Sequence, residues 1–231
     1  MATVETAPAP ERAPQRFVLH GVSWQTYLEL SDSAENEHVR MTYDRGELEL
    51  MTLSRQHEQY ASFLEYLIRV WAEETGTTMG ACRSMTIRRQ DLDRGFEPDN
   101  CYYLSHAAMV RGKKELDFTV DPPPDLAVEI EVSRKAIGKL PMYAAFGVPE
   151  VWRYDGRMLQ AYLLADDGQY RRSPQSGCFP QLPFTEVEQL LARLSEADET
   201  ELAKSFRASA RAIVAVGLGE RQVIKYPPPN S

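Results

Sequence analysis

The hydrophobic patterns along this chain predict an α/β (α+β) fold, in which a mixed β-sheet is flanked by helices and followed by a C-terminal helical extension. In several short segments, apolar residues alternate with polar ones, which is the pattern of half-buried strands. After Ser54 the apolar residues recur every three or four positions, as in an amphipathic helix. Beyond Pro183 the helical spacing replaces the strand pattern, so helices are expected to complete the fold.

The first predicted elements are a hairpin and a long helix. Residues 39–43 and 47–51 have strand patterns, and residues 44–46, Asp-Arg-Gly, form a turn signal between them. The helix is expected to begin after Ser54, a favourable N-cap, and to end at Gly76, a favourable C-cap. Its apolar stripe consists of Tyr60, Phe63, Leu64, Leu67, Ile68 and Trp71.

Short strands and further helices follow along the chain. The strands are predicted at 84–88, 97–104, 126–132, 151–154, 159–164 and 169–171. A helix is predicted over Leu140–Phe146, because Pro141 is tolerated in a first turn. Near the end, Thr185 and Glu188 have the spacing of a capping box, which predicts a helix there, and a second helix is predicted around Leu202.

The size and composition predict one domain with loose ends. A chain of 231 residues that is 43% hydrophobic can bury one substantial core but not two large ones. Residues 1–16 have almost no large apolar side chains, which predicts a flexible N-terminal arm, and the proline-rich residues 225–231 predict a flexible tail. Between them we expect a core domain over 17–183 and the helical extension over 184–224.

The charge and composition exclude several classes of function. A formal net charge of −8 argues against a protein that coats nucleic acid by bulk electrostatics, so any such contact must be local. Because there is neither a long apolar run nor an export signal in residues 1–16, we expect a cytoplasmic protein without a membrane partner. Cys82, Cys101 and Cys178 lack the paired spacing of a zinc site or a disulfide framework, which favours buried or idle thiols.

Two glutamates on one predicted strand are the first candidates for chemistry. In residues 126–132 the apolar side chains alternate with Ala127, Glu129 and Glu131. Strand geometry places both glutamates on one face, about 6 to 7 Å apart. Ordinary charge on a half-solvated strand is the alternative explanation.

A third carboxylate stands at the start of another predicted strand. Asp99 follows Pro98, and alternation places it on the same side as Cys101 and Tyr103. Carboxylates that face one another from neighbouring strands repel unless a cation or a proton is shared between them. Oxygen ligands of this kind suit Mg²⁺ or Mn²⁺.

Four motifs occur in a fixed order between about residue 39 and residue 165. They are Gly46-Glu47-Leu48-Glu49-Leu50-Met51 followed by His57, Glu97-Pro98-Asp99, Pro124-Asp125-Leu126-Ala127-Val128-Glu129, and Lys139 and Tyr143 before Gly147-Val148-Pro149-Glu150-Val151-Trp152. This ordered set resembles the Uma-type family of restriction-endonuclease-like proteins, which is part of the PD-(D/E)xK nuclease superfamily. The resemblance implies a restriction-endonuclease-like core over residues 17–183.

The resemblance also implies roles for individual residues. In such nucleases, the aspartate of the PD motif and the glutamate of the following strand bind the divalent metal, and these roles fall on Asp99 and Glu129. The usual lysine stands two residues after the glutamate, where this chain has Glu131. In Uma-type proteins it lies four residues before a tyrosine on the next helix, which points to Lys139 before Tyr143. The segment before Lys139 is shorter than is typical of the family, and a solvated lysine at a helix start is the alternative.

Further polar residues have two open interpretations each. His57 lies beside the apolar stripe of the long helix and so faces the sheet, either as a buried, hydrogen-bonded histidine or in the supporting role that a histidine has at this place in the family. Two groups of basic residues could contact phosphates or be only solvated surface. These groups are Arg83, Arg88, Arg89 and Arg94, and Arg111, Lys113 and Lys114.

The sequence therefore predicts a bacterial, cytoplasmic endonuclease that depends on Mg²⁺ or Mn²⁺ and hydrolyses phosphodiester bonds in nucleic acid, with DNA as the favoured substrate. Asp99 and Glu129 would hold the metal, and Glu131 would be an extra ligand or a metal-water contact. Lys139 would stabilise the developing charge or orient the water, and His57 would support the site.

Two other functions remain open from the sequence. A catalytically inactive nuclease-fold module, which regulates a partner or acts as a homodimeric scaffold, is favoured by the acidic charge, by Glu131 in place of lysine, and by the short segment before Lys139. A purely structural α/β protein would leave Asp99 and Glu129 apart and exposed.

Overall fold

The computed structural model describes residues 15–132 and 137–217, and it confirms the predicted α/β class. The strands are β1 (Arg16–Leu19), β2 (Val39–Asp44), β3 (Glu47–Thr52), β4 (Gly80–Ala81), β5 (Ile87–Arg89), β6 (Arg94–Phe96), β7 (Asn100–Tyr103), β8 (Leu126–Ile130), β9 (Glu150–Tyr154), β10 (Leu159–Leu164) and β11 (Tyr170–Ser173). The helices are α1 (Trp24–Ser31), α2 (Arg55–Thr75), α3 (Ala107–Val110), α4 (Leu140–Phe146), α5 (Phe184–Ala192) and α6 (Glu199–Gly217).

The strands form two sheets, of which the larger is the predicted mixed sheet. It has the order β11-β10-β9-β8-β7-β4, and β8 and β9 are its parallel pair. The other sheet has the order β1-β3-β2-β6-β5, and its pairs are antiparallel. The chain crosses from one sheet to the other between β6 and β7, at Glu97-Pro98-Asp99, because proline has no N–H with which to continue a ladder.

The turn residues of the hairpin and the capping residues of the long helix have the conformations that their residue types favour. Arg45 and Gly46 have φ values of 50° and 91°, which is the double left-handed conformation of a two-residue hairpin turn. Ser54 caps α2, since its hydroxyl accepts a hydrogen bond from the His57 N–H. Gly76 ends the helix with a φ of 66°.

Helices cover one face of the six-stranded sheet. There α2, α5 and α6 pack around a common core that includes Leu64, Trp71, Val128, Trp152, Leu191 and Phe206. The predicted boundary between 183 and 184 stays a prediction, and it falls inside this shared core. None of the helices in the described part of the chain has both the length and the apolar composition that a membrane-spanning helix needs.

The opposite face of the six-stranded sheet carries α4 and the five-stranded sheet. A second core joins the three elements, with Ile87 and Phe96 from the smaller sheet and Met142, Tyr143 and Phe146 from α4. Ala127 and Val151 of the larger sheet belong to the same core. Because Glu129 stands two residues after Ala127 on β8, its side chain extends from this face, at the edge of an apolar interface.

The structure corrects three local predictions. Gln15 and Arg16 belong to the fold, because Arg16 begins β1 and forms an ion pair with Glu49, while the rest of the predicted arm and the predicted tail lie outside the described residues. The Thr185–Glu188 capping box is wrong: α5 begins at Phe184, and Glu188 accepts a hydrogen bond from the Leu159 N–H at 2.7 Å. The predicted strand ends were also too long, mainly in the segments 97–104 and 126–132.

Several elements carry no sequence signal strong enough to predict them, namely β1, β4, β6, α1 and α3. The strands among them are two to four residues long, which is too short for an alternation pattern. Gly95 in β6 shows that contacts with distant segments determine the structure of such short strands. It pairs with Tyr43 of β2, whose ring stacks on Tyr27 with 4.9 Å between the ring centroids.

We expect Gly95→Ala to destabilise the fold by about 1 to 3 kcal/mol, because the new methyl group would overpack the core. A Cβ atom at this position would lie 2.2 Å from the Tyr27 hydroxyl oxygen, and the Tyr27 side chain is buried and rigid. Urea unfolding measures the change. Gly138→Ala is the matched control, since a Cβ there meets nothing within 4 Å. Equal stability of the two variants would contradict the packing argument.

Candidate active site

Strand pairing brings Asp99 next to Glu129. In the antiparallel pair of β7 and β8, Asn100 is the partner of Val128, so Asp99 stands beside Glu129 at the end of the ladder. The backbone N–H of Ile130 donates a hydrogen bond of 2.7 Å to Asp99 Oδ2. Both carboxylates are buried, with 9% of Asp99 and 1% of Glu129 exposed. This geometry contradicts the structural alternative, in which the two acids would lie apart and exposed.

Helix α4 supplies two donors to the carboxylate of Glu129. Lys139 Nζ donates to Oε1 at 3.0 Å and to Oε2 at 3.2 Å, and the Tyr143 hydroxyl donates to Oε1 at 2.5 Å. The two donors are four residues apart, which places them on one face of the helix. The Lys139 ammonium also donates to the backbone carbonyl of Glu97 at 2.5 Å. The solvated alternative for Lys139 is therefore wrong, because its side chain is buried in this contact.

Tyr143 is a permanent donor in the site. Burial, followed by the nearby charge of Glu129, raises the pKa of Tyr143 well above its usual value. The hydroxyl is therefore a hydrogen-bond donor at neutral pH. The bond holds one oxygen of Glu129 in a fixed position.

His57 contacts the other acid. Its Nε2 lies 3.1 Å from Asp99 Oδ2, and both side chains are buried. An ionised Asp99 accepts the proton of Nε2, which places the second ring nitrogen toward Glu58 Oε1 at 3.6 Å. The predicted position of His57, facing the sheet from the start of α2, is confirmed. Its supporting role in function stays a prediction.

Two residues at the site were not singled out from the sequence. Glu49 on β3 is buried, and it forms an ion pair of 2.7 Å with Arg16. Arg40 on β2 donates to Glu97 Oε2 at 2.6 Å. They share a narrow cleft, which is lined by Arg40, Thr42, Glu49, Met51, Asp99 and Lys139. In the sequence, Glu49 is a charged residue between apolar residues of a predicted strand, and this pattern could have identified it as a candidate.

The third predicted metal ligand, Glu131, lies just beyond the end of β8. Its carboxylate accepts two hydrogen bonds from the guanidinium of Arg153, one of them from Nε at 2.7 Å. Arg153 is the register partner of Glu129 on β9, so Glu131 and its cation border the pair of buried acids. The ligand role of Glu131 stays a prediction.

The basic group between residues 83 and 94 is largely neutralised. Its arginines form ion pairs with carboxylates, namely Arg83 with Glu65, Arg88 with Asp32, Arg89 with Asp91 and Arg94 with Asp44. Lys113, from the second group, is paired with Asp121. The solvated, internally paired interpretation therefore fits most of these residues better than phosphate binding does.

All three thiols are free, as the cysteine spacing predicts. Cys101 is buried and donates to the Arg83 carbonyl at 3.2 Å. A hydrogen bond with Cys101 lowers the pKa of Cys82 to about 7. These two cysteines are neighbours, because the Cys82 N–H, just after β4, donates to the Cys101 carbonyl on β7 at 2.9 Å.

The donor set suits one kind of metal binding. Within residues 15–132 and 137–217, no three His, Cys, Asp or Glu side chains converge closely enough to enclose a metal ion. Mg²⁺ commonly keeps several waters and takes only one or two protein carboxylates together with substrate phosphates. Asp99 and Glu129, side by side on neighbouring strands, fit that open mode of binding.

The comparison with protein families agrees with the resemblance to the Uma-type family. A family model described as "Uma2: Putative restriction endonuclease" matches residues 24–200, which is more than half of the chain. One similar solved structure is titled as a "putative nuclease belonging to DUF820" from Anabaena variabilis ATCC 29413, with 13% identity and a TM-score of 0.48. That match covers 80% of this chain and 99% of the other. No curated protein matches the chain.

We expect Lys139→Met to lower the free energy of unfolding by about 3 kcal/mol, because it removes an ammonium that contacts both oxygens of a buried carboxylate. Adding Glu129→Gln to that variant should recover part of the loss, since a neutral amide tolerates burial better. Chemical denaturation measures both changes. Lys204→Met is the matched control, because the ion pair of Lys204 with Glu201 is exposed to solvent and is expected to contribute little to stability. A loss at Lys139 no larger than that at Lys204 would contradict the prediction.

Proposed function

The chain belongs to the Uma2 family of restriction-endonuclease-like proteins, and from that premise we propose that it is a divalent-metal-dependent endonuclease that hydrolyses phosphodiester bonds in DNA. One observation carries the proposal. Two buried carboxylates from neighbouring strands, Asp99 and Glu129, stand side by side; Lys139 binds Glu129 and lines one cleft together with Asp99. A reaction centre for phosphoryl transfer needs these three groups close together.

Asp99 and Glu129 would hold Mg²⁺ or Mn²⁺, with Glu131 as a further ligand or a contact to a water of the ion. The ion, when bound, supplies Lewis-acid charge to the phosphate and to the attacking water. The chain's own residues prepare this site. The Ile130 N–H and His57 orient Asp99, and Tyr143 fixes one oxygen of Glu129.

Lys139 would stabilise the negative charge that develops on the phosphate. A fixed ammonium in a cleft that excludes much of the water is effective for this purpose, because its charge is weakly screened. The Glu97 carbonyl and the carboxylate of Glu129 hold Nζ in place. Lys139 is the N-cap of α4, so a short helix that packs on the face of the sheet positions the charge.

One observation favours a second function, that of a catalytically inactive interaction module. The carboxylates of the site already have protein donors: Lys139 contacts both oxygens of Glu129, and Arg153 binds Glu131. Such a network can satisfy the buried acids by itself. A module of this kind would bind a partner protein, or a second copy of the chain, without turnover.

The nuclease proposal predicts cleavage of DNA in the presence of Mg²⁺ or Mn²⁺ by the purified full chain, and a loss of about 10²-fold or more in rate for Asp99→Asn and for Glu129→Gln. Each change keeps the shape of the side chain and removes a charge that the metal needs. Plasmid nicking and a labelled RNA, tested in parallel, show the substrate. Asp166→Asn is the matched control, since Asp166 is exposed on a distant turn.

Calorimetry with Mg²⁺ and Mn²⁺ separates the two functions. Heat of binding at millimolar metal that disappears in Asp99→Asn supports the nuclease, provided that circular dichroism shows a folded variant. If the wild-type protein neither binds these metals nor cleaves DNA, the nuclease proposal is overturned and the module is favoured.

A further inference from the structure

We propose that Arg153, Tyr162 and Arg172 form a ledge that binds the phosphate backbone of duplex DNA beside the site of cleavage. The proposal rests on the proposed function, since it assigns the surface along which the substrate of that site would lie. The ledge was not among the basic groups that the sequence indicates, because its two arginines are nineteen positions apart in the chain, on β9 and β11.

The ledge adjoins the carboxylate pair on the same face of the six-stranded sheet. Arg153 is the register partner of Glu129 in the parallel pair of β8 and β9. Tyr162 on β10 pairs with Val151 on one side and with Arg172 on the other. Since Val151 and Arg153 are two residues apart on β9, their side chains point to one face, and so do those of their register partners. Neighbouring strands lie about 4.8 Å apart, so Arg172 is about 14 Å across the sheet from Glu129.

The two guanidinium groups converge on one aromatic ring. Arg153 Cζ lies 5.5 Å and Arg172 Cζ lies 5.8 Å from the centroid of the Tyr162 ring. Attraction to the face of the ring holds each cation, and Tyr162 itself is largely buried and cannot move freely. Glu131 also binds Arg153, so the uncompensated charge of the ledge is that of Arg172, which the ring holds beside an arginine already fixed in place. A preorganised cation of this kind suits a polyanion.

Arg172 provides charge that the protein does not neutralise internally. In the described part of the chain, Arg172 forms no ion pair, and its side chain is exposed on the edge strand β11. Its neighbour Arg171 differs, because Arg171 points to the other face and forms an ion pair with Asp167 at 2.6 Å. Arg172 and Arg171 therefore provide a test position and a control position that are adjacent on one strand.

Charge complementarity favours DNA as the occupant. The protein has a net charge of −8, and the cleft beside the ledge contains the acids Glu49 and Asp99. A DNA strand that approached this cleft would be repelled unless local cations offset the acids. The ledge supplies the charge of Arg172, with Arg153 held beside it by Glu131, on the side of the cleft that continues the sheet. Arginine binds phosphate through two parallel N–H bonds, which fixes the register of the backbone as well as adding affinity.

The test measures DNA binding without cleavage, by fluorescence anisotropy of a labelled duplex in buffer free of divalent metal, with the full chain. We expect Arg172→Gln to weaken binding about three- to tenfold and to reduce the slope of log affinity against log salt concentration by about one. Arg171→Gln should change neither quantity. Arg172→Lys should restore the salt slope but only part of the affinity, because the charge returns without the planar fork.

The possible outcomes separate the ledge from the nuclease proposal. If Arg172→Gln binds DNA as the wild-type protein does, or if Arg171→Gln loses as much affinity, the ledge is wrong even where the wild-type protein cleaves DNA. If the wild-type protein binds no duplex DNA, the ledge is also wrong. Loss of affinity confined to Arg172→Gln supports the ledge, and it does so even if no cleavage is found and the nuclease proposal fails.

Discussion

The burial of the Glu129 carboxylate is the constraint on which the arrangement of the site depends. Removing a carboxylate from water costs several kcal/mol unless donors surround it. Two of its donors, Lys139 at the N-cap and Tyr143 within the helix, come from α4, so α4 must lie close to this part of β8. Pro141 in the first turn and the left-handed Gly147 at the end set the limits of that helix. The acid thus helps to fix the position of α4, together with the apolar residues that the helix contributes to the second core.

The site lies where the chain crosses from one sheet to the other. The chain leaves the five-stranded sheet after β6 and enters the six-stranded sheet at β7, and the crossing consists of Glu97, Pro98 and Asp99. The Glu97 side chain binds Arg40 in the first sheet, while its carbonyl accepts from Lys139 beside the second. Polar groups therefore collect where the two sheets meet, because the crossing residues are not part of either ladder and their hydrogen bonds must be made by side chains.

The elements that the sequence predicts correctly are those with signals inside the element itself. Ser54 and Gly76 cap α2 as their residue types require, and the motif residues Asp99 and Lys139 do line one cleft, with Glu129 bound to Lys139. Predictions fail where two interactions compete for one group. Glu188 binds a strand N–H instead of capping its own helix, and Glu49 binds Arg16, a residue in a segment whose composition alone indicates a loose arm. Such partners depend on strand register and on contacts between distant segments, which local patterns do not contain.

The electrostatics of the cleft favour a functional explanation over a structural one. Replacing a buried ion pair with apolar residues of similar volume is often neutral or stabilising, so an ion pair is a poor way to hold a sheet and a helix together. Here Glu129 and Lys139 are buried against a hydrophobic core, with Asp99 as a second acid next to them. An apolar cluster would hold α4 at least as well. The charged arrangement gains its value when a ligand uses those charges, and in the proposed function a phosphate with a divalent cation would use all three.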